Sequence, residues 1–197
     1  MEFEKFCRQN KLTIFTISDL KILLNQYSRE YLRLKLSRWK QKGYLNSPKR
    51  GLYMFMDAEF DEFEIASKLI TPSYVSLETA LSHYSIIPDV SAEVSGVTTK
   101  NTRTFKTNSS IYKFYHIKQA LFSNFVHLRE EIFIAEPQKA ILDFFYFRKP
   151  DKDHLFFERI NREIARGLNL KAMEKIANKF PAHTQKLFNH FKNVISR

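Results

Sequence analysis

The stretch of residues 28–53 constrains the fold more than any other part of this chain. Its letters are SREYLRLKLSRWKQKGYLNSPKRGLY: an apolar residue at every third or fourth position, a glycine, and two alternating segments around a Pro/Gly turn. Helical spacing of apolar residues predicts a helix with one buried side, and the alternating segments predict a β-hairpin. A basic helix followed by a basic hairpin is typical of a helix-turn-helix with a wing.

The predicted helix divides into a buried stripe, two basic flanks and an outer face. At about 100° per residue, Leu32, Leu36 and Trp39 form the stripe. The flanks are Arg29, Arg33 and Lys40 on one side and Lys35, Arg38 and Lys42 on the other, and the outer face is Glu30, Leu34, Ser37 and Gln41. Such flanks reach the two phosphate strands of a major groove while the outer face meets base edges.

The segments around this helix complete the prediction. Ser28 is the predicted N-cap, and Gly43 is predicted to end the helix in a left-handed conformation. The tip of the hairpin carries Lys49 and Arg50, which we expect to contact phosphate or the minor groove. The alternative is a three-helix domain whose hairpin only closes the core. The predicted DNA contacts are Ser28, Arg29, Glu30, Arg33, Leu34, Ser37, Arg38, Lys40, Lys49 and Arg50.

The distribution of charge supports a nucleic-acid-binding head. The net charge is +11, and residues 1–56 carry 12 Lys and Arg against four Asp and Glu, a balance of +8. The other 141 residues carry 20 against 17, a balance of only +3. Positive charge concentrated in one quarter of the chain favours a DNA-binding segment over a uniformly basic surface, although a basic face without a partner remains an alternative.

The predicted fold class is α+β with two domains, 1–57 and 58–197, divided at the acidic segment of residues 57–61. In the first domain, helices are expected at residues 2–10 and from Thr16 or Ser18 to Leu24, before the basic helix.

In the second predicted domain, Thr71-Pro72 ends a helix and Ser76 caps the next one. Residues 93–99, 102–107 and 111–117 predict an antiparallel meander, residues 131–135 a fourth strand, and Pro137 opens a helix that is buried on nearly all sides. Residues 153–166, 169–179 and 182–195 predict further helices.

Two stretches of the chain resemble the AbiEi family of antitoxins from bacterial type IV toxin–antitoxin systems. The first is the winged helix, with LSRW at 36–39, KGYL at 42–45 and RGLY at 50–53. The second and more specific is PSYVSLETALSHY at 72–84, followed by IAEPQKAILD at 134–143. The resemblance covers residues 13–147. Trp39, where an aliphatic residue is usual, and Ser85, in place of a glycine, depart from the family pattern.

The resemblance implies a protein with two tasks. The first domain would bind double-stranded DNA at the promoter of its own operon, at inverted repeats, and repress it. The second would counteract a nucleotidyltransferase-like toxin without needing a stable complex. We accordingly expect a bacterial protein that is not an enzyme and is a monomer or weak dimer. The single cysteine fits a cytoplasmic setting, and the absence of metal-ligand and phosphate-loop motifs predicts no metal and no cofactor.

The residues themselves favour no catalytic or metal site. Asp143, on an aromatic helix, is expected to bond a nearby backbone N–H or an arginine rather than act as a catalytic acid. Residues 151–154 are expected to form an exposed turn. Glu78, Glu93 and Lys100 are the acids and lysine that a nuclease would need, but they share no motif spacing. Because Cys7 is the single cysteine, an internal disulfide is excluded. The sequence contains no run of about 18 apolar residues, so no membrane span is predicted.

Two other functions remain open from the sequence. The second domain can be a ligand sensor that changes the DNA affinity of the first, or an enzyme brought to nucleic acid by it. The C-terminal cations are expected to form a solvated face, with phosphate contacts or an acidic partner as alternatives; they are Lys171, Lys175, Lys179, Lys186, Lys192 and Arg197.

Overall fold

The computed structural model describes residues 13–88, 92–107, 110–129 and 131–196. The helix expected at residues 2–10, together with Cys7, lies outside the described residues.

The first part of the chain folds as a strand, two helices and a hairpin. Strand β1 (Ile14–Thr16) leads into α1 (Ile17–Leu23) and α2 (Arg29–Gln41), and β2 (Leu45–Lys49) and β3 (Leu52–Phe55) come next. The three strands form an antiparallel sheet in the order β1-β3-β2.

Local chemistry explains where these elements begin and end. Thr16 and Asp19 form a reciprocal capping box at the start of α1, and the Ser28 hydroxyl accepts the Tyr31 N–H at the start of α2. Gly43 comes after α2 with φ +75°, as predicted. The hairpin turn is shorter than predicted: Lys49 pairs with Leu52 at the end of β2, so Arg50 and Gly51 form the tip. Gly51 supplies the positive φ, +84°, that this tight turn needs.

The small sheet has two buried faces. Phe15 and Phe55 lie on one face and pack with Leu20, Leu32 and Leu36 of the two helices. Strand alternation turns Ile14, Leu52 and Met54 to the other face, where they belong to the large core of the rest of the chain. The small sheet therefore packs against the elements that follow it in the chain as well as against its own helices.

The second sheet has six strands in the order β6-β7-β5-β4-β9-β8. These are β4 (Ser73–Val75), β5 (Glu93–Thr98), β6 (Arg103–Lys106), β7 (Ile111–His116), β8 (Phe125–Arg129) and β9 (Ile132–Ala135). The meander prediction is wrong, because β5 pairs with β7 in parallel and β6 lies outside β7. Burial explains this order: β6 is largely exposed, whereas β5 and β7 carry the buried Val94, Val97, Tyr112 and Phe114.

Helices cover this sheet and form the C-terminal part. They are α3 (Glu62–Leu69), α4 (Leu77–His83), α5 (Pro137–Arg148), α6 (Leu155–Arg159), α7 (Arg162–Arg166), α8 (Leu170–Ala177) and α9 (Ala182–Ile195). The helix predicted at 153–166 is two helices, because Asn161 is extended and its side chain caps α7. Helix α5 starts at Pro137 and buries seven consecutive residues, as predicted. This mixed architecture is compatible with the α+β class, and none of the helices described is both long and apolar enough to cross a membrane.

Candidate nucleic-acid interface

Helix α2 presents one side to the core and the rest of its surface to solvent. Leu32 and Leu36 are fully buried and Trp39 is 8% exposed, as the predicted stripe requires. Leu34, on the opposite side, is 52% exposed. The amphipathic pattern and the caps at both ends place these side chains, so the outer face is determined directly by the sequence.

The predicted contact residues of α2 all lie on this exposed surface. Ser28, Arg29, Glu30, Arg33, Leu34, Ser37, Arg38 and Lys40 are each exposed. The Arg29 guanidinium is 3.4 Å from the Ser18 hydroxyl, which directs it back along α1. In the part of the chain that the structure describes, Arg33, Arg38 and Lys40 form no ion pair with a carboxylate, so their charges face solvent.

The two basic residues of the hairpin have different surroundings. Arg50 is exposed at the tip. The Lys49 ammonium instead donates hydrogen bonds to the carbonyls of Lys68 (3.1 Å) and Leu69 (2.9 Å) at the end of α3. Burial, and then the charges of Lys100 and Arg103, lower the pKa of Lys49. Lys49 therefore ties the hairpin to α3 rather than projecting from its tip.

The two sequence stretches beyond the hairpin meet at a buried polar cluster. The Lys139 ammonium contacts the Asp143 carboxylate one turn along α5, and it also donates to the Tyr74 hydroxyl (2.8 Å). That hydroxyl donates to Asp143 (3.0 Å), as does the Ser76 hydroxyl (2.8 Å). We call these four residues the Lys139–Asp143 cluster. Solvent reaches at most 1% of any of the four.

Electrostatics in this cluster are governed by its burial. Burial lowers the pKa of Lys139, and the Asp143 carboxylate acts in the opposite direction. Burial and the charge of Asp143 raise the pKa of Tyr74 well above its usual value, so the hydroxyl stays protonated and can donate. Asp143 bonds side chains of β4 and α5 and the N-cap of α4, rather than the backbone N–H or arginine expected from the sequence. Ser76 does begin α4, but its hydroxyl bonds Asp143 and makes no capping hydrogen bond.

A second polar group joins Glu78 and Glu93 to Arg148 at the end of α5. Arg148 makes two hydrogen bonds to Glu78, at 2.6 and 2.9 Å, and one to Glu93 at 3.5 Å, and also contacts the Tyr115 hydroxyl. The structure thus brings these two acids together around an arginine. Lys100, the third residue of the nuclease hypothesis, lines a cavity with Lys49 and Arg103.

The other candidate residues have structural surroundings. Within residues 151–154, all exposed, the His154 ring caps α6 by accepting the Phe156 N–H at 3.1 Å. Of the C-terminal cations, Lys171, Lys175, Lys179 and Lys186 are exposed, Lys192 pairs with Glu174 at 3.3 Å, and Arg197 lies outside the described residues.

No role was predicted from the sequence for Lys139, Arg148 or Arg103. Lys139 and Asp143, spaced i, i+4 on an otherwise apolar helix, are a detectable signal of a buried ion pair. Arg148 carries no such signal, because Tyr115, Glu93 and Glu78 lie 33, 55 and 70 residues away in the chain. Arg103 carries none either, because tens of residues separate it from Lys49, which lines the same cavity.

Comparison with known proteins adds a similarity of fold. No family model and no curated protein matches the chain. The crystal structure of the Rv2827c protein from Mycobacterium tuberculosis aligns with a TM-score of 0.67 over 98% of this chain and 75% of its own, at 9% identity. At that identity the likeness concerns the fold alone.

Proposed function

We propose that residues 13–57 form a winged helix-turn-helix that binds double-stranded DNA. The observation that carries this proposal is the solvent-facing surface of α2. Its basic side chains flank an outer face of Glu30, Leu34 and Ser37, and the next element is a hairpin with an exposed Arg50. The elements follow in the order β1-α1-α2-β2-β3. In a helix-turn-helix the second helix enters the major groove, and here that helix is α2.

The proposed contacts divide by chemistry. Arg33 and Lys40 on one flank, and Arg38 on the other, bind phosphates and set the position of α2. Ser37 and Glu30 are placed for hydrogen bonds to base edges, and Leu34 for contact with a thymine methyl group. Arg50 reaches the backbone beside the groove. We leave Lys49 out of this contact set, because its ammonium is bonded to α3.

We further propose that the chain is an autorepressing antitoxin of a type IV system, as the AbiEi resemblance implies. The first domain would repress its own promoter, and residues 58–197 would oppose a nucleotidyltransferase-like toxin in the cytoplasm. Supporting this, the two stretches that carry the resemblance beyond the hairpin pack together through the Lys139–Asp143 cluster. Because that cluster is inaccessible, its role in the proposal is to hold the domain's shape and not to perform chemistry.

The DNA-binding proposal is tested with the double variant Arg33→Gln/Lys40→Gln of the full chain. We expect weaker binding to the chain's own promoter in a gel-shift assay. The slope of log affinity against log salt is expected to fall by about one per lost phosphate contact. Lys152→Gln, an exposed cation between α5 and α6, is the matched control. Unchanged affinity and slope in the double variant would remove α2 from the interface.

The antitoxin proposal needs a separate assay. Cells expressing the neighbouring gene as toxin are tested for rescue by the wild-type chain and by the same double variant, both from an unrelated promoter. Rescue by both supports separate tasks for the two domains, and no rescue by either contradicts the antitoxin role. The runner-up, a ligand-sensing DNA-binding regulator, is favoured by the basic cavity beside the hairpin and predicts no rescue.

A further inference from the structure

Three cations from separate elements converge on one cavity beside the hairpin. Lys49 comes from β2, Arg103 from β6, and Lys100 from the turn before β6. Among the described residues that line this cavity there is no carboxylate; the polar neighbours are Thr71 and Asn101. The lowered pKa of Lys49, caused first by burial and then by Lys100 and Arg103, is consistent with this uncompensated positive charge.

The position of Lys49 is set by the backbone and not by a counter-ion. Two of its three ammonium donors are directed to the carbonyls of Lys68 and Leu69, which leaves one for another acceptor. Lys100 and Arg103 are exposed, so their donors are open to solvent. The site therefore has several fixed or accessible donors and no protein anion among its described lining residues to satisfy them.

The size and lining of the cavity match a small molecule. Its volume is about 460 Å³, within the range of roughly 300–1,000 Å³ typical of ligand pockets. Phe105 adds an aromatic surface, and its ring is held by an edge-on contact with Phe114 at 6.1 Å between centroids. A planar base or other apolar group of a ligand can stack there.

We propose that this cavity binds a small organic phosphate, with Lys100 and Arg103 holding the phosphate oxygens and Lys49 completing the site. Arginine and lysine form short, charge-assisted hydrogen bonds with phosphate, and a bound anion relieves the repulsion among the three cations. None of the residues that line the cavity belongs to α2. Because Lys49 and Arg50 are adjacent, an occupied cavity lies next to the hairpin tip.

The test is calorimetric titration of the full chain with AMP, inorganic phosphate and adenosine. We expect saturable binding of AMP and phosphate and none of adenosine at the same concentration, because the phosphate supplies the recognition. Lys100→Gln and Arg103→Gln are each expected to weaken AMP binding about tenfold, the loss of one charge-assisted hydrogen bond. Lys106→Gln is the matched control: Lys106 is an exposed cation on β6, and strand alternation turns it away from Arg103 and Phe105.

Three results would overturn the proposal. One is the absence of binding by AMP and phosphate at millimolar concentration in a folded wild-type chain. The second is equal weakening by Lys106→Gln, which would indicate diffuse electrostatic attraction instead of a site. The third is a loss of duplex DNA affinity in the Lys100→Gln/Arg103→Gln double variant when the wild type binds no free phosphate, which would assign the cations to the DNA backbone. Unfolding midpoints of all variants establish that they remain folded.

Discussion

The ammonium of Lys139 lies against the carboxylate of Asp143 one turn along α5, and neither side chain is reached by solvent. A buried ion pair is stable when the attraction between the two charges offsets the free-energy cost of removing both from water and when hydrogen bonds satisfy the remaining lone pairs. Here the Tyr74 and Ser76 hydroxyls supply those bonds to Asp143. The pair therefore connects α5 to β4 and to the start of α4.

Removing one charge of this pair is expected to be costly. Asp143→Asn keeps the shape but leaves Lys139 as an uncompensated buried cation, so we expect a loss of about 3–5 kcal/mol in the free energy of unfolding, measured with urea. Glu174→Gln breaks the surface pair with Lys192 and is expected to cost only about 0–1 kcal/mol. Similar losses in the two variants would contradict the importance of the buried pair.

Alkaline pH is expected to destabilise the protein through Tyr112. Burial, followed by the charge of Glu62, raises the pKa of Tyr112 to about 12. An unfolded tyrosine has a pKa of about 10. The contribution of Tyr112 to the free energy of unfolding is therefore complete below that pH and is lost as the pH rises toward about 12. Urea unfolding of Tyr112→Phe is expected to show a smaller loss of stability over that interval than the wild type. Tyr44→Phe, at an exposed ring, serves as control, and parallel pH profiles for wild type and Tyr112→Phe would refute this role.

The two basic residues of the hairpin are expected to respond differently to neutralisation. Lys49→Gln loses the hydrogen bonds to two carbonyls of α3, so we expect about 1–3 kcal/mol of lost stability. Arg50→Gln is expected to preserve stability while weakening DNA binding on all sequences, because a phosphate contact carries no sequence information. Thermal unfolding and gel shifts of both variants test this division. A stable Lys49→Gln that loses DNA affinity would restore Lys49 to the DNA contacts.

Gly96 is expected to be required by the close contact between β5 and β7. It pairs with Phe114, and a Cβ built on it would lie 2.7 Å from two atoms of that ring. We therefore expect Gly96→Ala to lower the free energy of unfolding, measured with urea, by about 1–3 kcal/mol. The double variant Gly96→Ala/Phe114→Leu is expected to lose less than the sum of the two single variants, because the smaller side chain relieves the clash. Gly167→Ala is the control, with its nearest atom, the Ile164 carbonyl oxygen, at 3.3 Å. An equal loss at both glycines would argue against the specific contact.

Residues close in sequence account for most of what was predicted correctly. The stripe of Leu32, Leu36 and Trp39 is buried, Ser28 caps α2 and Gly43 comes after it with positive φ. Pro137 begins α5 as expected. The prediction of an antiparallel meander was wrong, because an alternating apolar pattern identifies a strand but not the strand that it pairs with. The pairing of β5 with β7 places β5, which is buried on both faces, inside the sheet and leaves the largely exposed β6 at its edge.

The sequence by itself determined the basic helix α2, its outer face and the caps that bound it, because these depend on spacing and on groups within one helical turn. Only the tertiary structure decided which groups Lys49 of the hairpin and Asp143 of α5 bond. Lys49 bonds carbonyls 19 and 20 residues away, and Asp143 bonds hydroxyls 67 and 69 residues away. Such partners are chosen by how the sheet and helices pack, since a buried polar group must be satisfied by whatever the folded chain places beside it.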